Sequence, residues 1–74
     1  MEHNIEFVYS RPTRVDVFVY YDEGERSGRC FVGSLHKDDK TWLYKQDCRG
    51  WYLTLNNLTD IAKEISSLVQ EAKQ

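Results

Sequence analysis

Four side chains are of the kind that bind soft metals or attack carbonyl carbons: His3, Cys30, His36 and Cys48. No two form a close pair, whereas structural zinc sites present ligands two to four residues apart, so no metal site is expected. Cys48 precedes Arg49, and a cation beside a thiol favours the thiolate, with His36 as the available base. A cysteine in a turn and a histidine beside Lys37 are nevertheless ordinary surface residues. The carboxylates Asp22, Glu23, Glu25, Asp38 and Asp39 gather in turns, where they solubilise. No glycine-rich phosphate loop, dinucleotide fingerprint, His-Glu-x-x-His or Cys-x-x-Cys occurs. The expectation is a protein that is not an enzyme, with no cofactor and no small-molecule substrate.

The aromatic residues carry more information. All ten (Phe7, Tyr9, Phe18, Tyr20, Tyr21, Phe31, Trp42, Tyr44, Trp51 and Tyr52) precede residue 54, where a helical pattern begins. Phe18 and Tyr20 alternate with Val15, Val17 and Val19, so they occupy the opposite side of the same strand. Tyr52 likewise opposes Trp51 and Leu53. A platform of Phe18, Tyr20 and Tyr52, with Arg14, Arg29 and Lys45 nearby, is the candidate binding face. Tyrosine, tryptophan, phenylalanine and arginine are enriched at protein interfaces, and aromatic sheet faces also stack unpaired bases. Half-exposed strands carry tyrosines with no partner at all.

Regular elements must position that platform. Residues 54–72 place Leu55, Leu58, Ile61, Ala62, Ile65, Leu68, Val69 and Ala72 in one stripe, an amphipathic helix. Thr54, Asn56 and Asn57 are all N-cap candidates, with Asn57 followed by Asp60 the most box-like. Upstream, residues 5–10, 14–21, 28–36 and 41–46 read as strands, and 51–53 as a short fifth. Arg11-Pro12-Thr13, a turn at 22–25 with Gly24 suited to positive φ, and the charged 36–40 segment separate them. Gly33 is a candidate bulge or close-approach point. The facing of 28–36 stays open between Phe31 with Leu35 and Cys30 with Val32; that of 41–46 stays open between Trp42 with Tyr44 and Leu43. The expected fold is α+β: an antiparallel four- to five-stranded β-meander with one C-terminal amphipathic helix packed on one face.

Seventy-four residues allow one domain, 1–74, with a small core, so a face or edge is the natural working surface. Twelve acidic against ten basic residues give a net charge of −2, which argues against a backbone-dominated nucleic-acid binder. The first residues lack a basic and apolar leader pattern, and the longest apolar run, Val17 to Tyr21, is far too short to span a bilayer. The expected location is cytoplasmic, with Cys30 and Cys48 reduced.

The run Arg49-Gly50-Trp51-Tyr52-Leu53-Thr54-Leu55, followed by a helix with Leu58, Ile61 and Ile65, resembles the end of the transcriptional coactivator PC4 family. That resemblance implies a dimer with a four-stranded meander and one C-terminal helix, binding single-stranded DNA. The lysine-rich strands of the family are missing; Arg29, Lys37, Lys40 and Lys45 stand in. The expected function is therefore a small regulator or inhibitor acting through its aromatic sheet face on a protein partner or on a second copy, as a homodimer burying Phe18 and Tyr20. Single-stranded nucleic acid is the alternative partner.

Overall fold

The computed structural model describes residues 3–22, 24–47 and 53–72. Four strands, β1 (His3–Arg11), β2 (Arg14–Asp22), β3 (Ser27–Asp38) and β4 (Thr41–Gln46), precede one helix, α1 (Leu55–Ala72). They form an antiparallel sheet in sequence order, with α1 packed against β1 and β4. The α+β meander expected from hairpin spacing is thus the fold. Trp51 and Tyr52, assigned to a fifth strand, lie outside the described residues. Leu53 belongs to no strand and packs, half-buried, against the core.

The turns follow local chemistry. Gly24 has φ of 82°, and its N–H donates to the Asp22 carboxylate at 3.1 Å. Asp39, at φ 54°, takes the left-handed conformation that aspartate tolerates better than most residues. The β1–β2 hairpin is tied to β3 where the Lys37 N–H donates to the Thr13 carbonyl at 3.0 Å.

The core lies on one side of the sheet: Val15, Val17, Val19, Val32, Leu35 and Trp42, covered by Ile61 and Leu68. Ile5, Phe7, Tyr44, Ile65 and Val69 pack at its margin. Strand β3 contributes twice because of a bulge. Val17 pairs with Gly33 but Phe18 pairs with Phe31, so Val32 is the extra residue. Cys30 and Val32 point toward the helix before it, and Leu35 does so after it. The two competing inward sets are therefore both partly right, with Phe31 turned outward.

Two features hold the bulge. The Val32 carbonyl, released from the β2 ladder, accepts from the Asp47 N–H at 2.9 Å and the Tyr44 hydroxyl at 3.2 Å. Gly33 is required by close approach, since a Cβ there would lie 2.5 Å from the Lys45 carbonyl oxygen and 2.7 Å from the Tyr44 hydroxyl. Burial lifts the Tyr44 phenol pKa above its ordinary value, and the negative charge of Asp47 adds to the effect.

The helix begins at a reciprocal cap. The Asn57 N–H donates to Thr54 Oγ1 and the Thr54 N–H donates to Asn57 Oδ1, each at 3.1 Å. Thr54 is the N-cap and Asn57 takes the place Glu or Gln has in a capping box. The Asn57–Asp60 alternative starts the helix one turn too late. Asn57 is also buried, only 2% exposed. The buried row is Asn57, Ile61 and Leu68, whereas Leu55, Leu58 and Ala62 of the expected stripe are exposed and Ile65 is half-buried.

Candidate functional site: the uncovered sheet face

The face opposite α1 is built from the alternate residues of each strand. Pairing sets four rows across it: Asn4–Tyr20–Arg29, Glu6–Phe18–Phe31, Val8–Asp16–Ser34–Lys45 and Arg11–Arg14–His36–Leu43. The face therefore gathers Phe18, Tyr20, Arg14, Arg29 and Lys45 as the sequence placed them. Tyr52, the sixth expected member, lies outside the described residues.

At the centre, the Phe18 and Phe31 rings meet edge to face, with centroids 5.6 Å apart and planes at 69°. This geometry sets the positive edge of one ring against the negative face of the other. The Arg29 guanidinium lies 4.6 Å from the Phe18 centroid, and its Nη1 donates to Glu6 Oε1 at 3.1 Å. One row lower, Arg14 Nε donates to Asp16 Oδ1 at 2.8 Å. Both pairs are substantially solvated, so each contributes at most about 1 kcal/mol. Their larger effect is on charge: two of the four strand cations in these rows, Arg14 and Arg29, are already answered by carboxylates of the same face, while Arg11 and Lys45 have no ion pair among the described residues.

Ser34 Oγ and His36 Nε2 are hydrogen-bonded at 2.7 Å. A hydroxyl beside an imidazole has the elements of a nucleophile and its base. Ser34 is only 4% exposed, so the bond chiefly satisfies a buried hydroxyl. These residues line a shallow cleft of about 410 Å³ with Arg14, Phe31, Lys45 and Asp47. A second hollow of about 550 Å³ opens on the helix side, between the end of α1 and the β1–β2 hairpin. Val15, Trp42 and Leu68 floor it, and Arg11, Lys37 and Glu71 stand at its mouth. Near it the Tyr9 hydroxyl donates to Glu64 Oε1. Partial burial, and then the Glu71 charge, raise the Glu64 pKa above its ordinary value.

The sequence reading left the facing of Phe31 and Leu43 open and did not count Glu6 or Asp16 among the binding candidates. Phe31 and Leu43 are 40% and 52% exposed, comparable with Tyr20 at 42%. Phe31 was hidden by the bulge, because strict alternation cannot put Phe31 outward and Leu35 inward together. The signal was present as two conflicting apolar phases meeting at Gly33. Cys30 is a half-buried free thiol, and Cys48 and the His3 side chain lie outside what is described. Among the described residues no three His, Cys, Asp or Glu side chains gather to hold a metal ion, and no helix is long and apolar enough to cross a membrane. In comparisons with protein-family models, curated proteins and solved structures, the chain matches none of them.

Proposed function

We propose that this chain is a small, non-enzymatic binding protein of the cytoplasm, a regulator or inhibitor that engages a protein partner through the uncovered sheet face. The single observation that carries this reading is the Phe18–Phe31 pair with Arg29 stacked on it and held by Glu6. A fixed aromatic centre flanked by exposed Tyr20 and Leu43 offers apolar area at low entropic cost. The charge arrangement favours protein over single-stranded nucleic acid. A base-stacking face must also neutralise phosphates, yet Arg29 and Arg14 are paired within the face, which leaves Lys45 and, at the edge strand, Arg11 as its strand cations outside an ion pair among the described residues.

Affinity capture with the wild-type chain and a Phe18→Ala/Phe31→Ala variant, run from the same extract, tests the proposal. The partner is expected on wild type and absent from the variant, while both melt cooperatively. A protein retained equally by both chains would place its binding elsewhere.

A further inference from the structure

The helix carries an apolar flank that the sheet uses only in part. Leu55, Leu58, Ala62, Ile65 and Val69 recur at i, i+3, i+7, i+10 and i+14, the a and d positions of a heptad. At 100° per residue this seam lies roughly a quarter-turn around the helix from the row that enters the core. Its exposure is large for apolar residues: Leu55 is 79% and Leu58 48% exposed, and Ala62 is exposed. Ile65 and Val69 are half-buried, each shared between the seam and the core margin. The opposite flank is engaged, since Glu64 accepts from Tyr9 of β1.

A seam of period 3.5 matches another helix, and its flanks say which kind. The outer flanking positions are Thr59 and Ser66, small and uncharged, and Thr59 Oγ1 is turned back onto the Leu55 carbonyl at 2.9 Å. Asp60, Lys63, Glu64 and Glu71 all lie off the seam. The complement is thus a second neutral apolar seam. We propose that two copies of this chain pair through α1, antiparallel about a two-fold axis between positions 63 and 64. In that register Leu58 lies against Val69 and Ala62 against Ile65 of the other copy, a larger side chain on a smaller one in each layer. A parallel pair would stack Ala62 on Ala62, leaving that layer underfilled. The antiparallel pair also sets each helix N-terminus beside the other's C-terminus. This dimer stands independently of the sheet-face reading and leaves that face uncovered on both copies, so one dimer presents two identical partner sites.

Sedimentation equilibrium at micromolar concentrations tests it. Wild type is expected near twice 8.8 kDa. Leu55→Glu/Leu58→Glu is expected to weaken the dimer by at least about tenfold while the chain still melts cooperatively, because it puts charges into an apolar seam at exposed positions. In the antiparallel register position 59 neighbours position 66 of the other copy. Thr59→Glu/Ser66→Lys should therefore tighten the dimer and Thr59→Glu/Ser66→Glu loosen it. The proposal is overturned by a wild-type monomer at every concentration, by a dimer indifferent to the seam variants, or by two charge variants that behave alike. A dimer lost instead on Phe18→Ala/Tyr20→Ala would assign self-association to the sheet face and overturn it too.

Discussion

On its helix side the sheet presents Val15, Val17, Val19, Val32 and Leu35, none more than 1% exposed; on the other side Tyr20, Phe31 and Leu43 stand at 40–52%. Both sets come from the same strands, β2 supplying three residues to the first and Phe18 and Tyr20 to the second. The aliphatic side is fixed by volume, since β-branched side chains in single rotamers must fill the space under Ile61 and Leu68. The aromatic side is fixed by local electrostatics, through a ring edge, a guanidinium and a carboxylate that organise one another in the open. The core and the proposed binding face thereby lie on opposite surfaces of one sheet, each organised by different physics.

The strongest way to break this comparison is a charge on each side. Val17→Asp buries an unpaired carboxylate in a domain with roughly 5 kcal/mol of stability, and is expected to abolish cooperative melting by circular dichroism. Phe18→Asp, one residue along, should leave a folded protein. Two folded proteins, or two unfolded ones, would erase the distinction. Truncation gives a graded version. Leu35→Ala should cost about 2–5 kcal/mol in urea unfolding, whereas Leu43→Ala, facing solvent, should stay within about 0.5. Smaller again is the Arg29 contact: Arg29→Ala should cost about 0.5–1 kcal/mol, and a double-mutant cycle with Phe18→Leu should show the two coupled.

The smallest expected effect probes the edge of the helix side. The Glu64 pKa is raised by partial burial and by Glu71, so the folded state holds that proton more tightly than the unfolded chain does. Stability from this source is present below the ordinary glutamate value of 4.5 and is lost as pH rises through the higher folded value. Glu64→Gln should flatten the melting temperature across that acid window and leave the rest of the pH profile in place.

Much of this division was legible because its carriers obey simple periods. Val15, Val17 and Val19 against Phe18 and Tyr20 is strict alternation, and β2 reads correctly from sequence. β3 does not, because the bulge at Val32 shifts phase by one residue and converts two half-correct patterns into an apparent contradiction. The helix was legible in extent but not in facing. Its apolar residues form one broad stripe on a wheel, yet Asn57 turns inward to cap at Thr54 while Leu55, Leu58 and Ala62 stay outside. Periodicity reports apolar character, and it cannot divide a wide stripe between the chain's own sheet and a second helix. The pairing of Arg29 with Glu6, 23 residues apart, depends on strand register and had no local signature.

The central claim is that the aromatic face contacts protein and not unpaired bases, and titration of a labelled single-stranded oligonucleotide at two salt concentrations tests it most directly. Wild type and Phe18→Ala/Tyr20→Ala should both bind no tighter than about 10 micromolar at physiological salt, because both arginines of the aromatic centre, Arg14 and Arg29, are internally paired and the net charge is negative. Submicromolar binding that falls steeply with salt, at a slope near −0.7 per neutralised phosphate, and that disappears with Phe18 and Tyr20 would contradict the claim and make the sheet a single-strand platform.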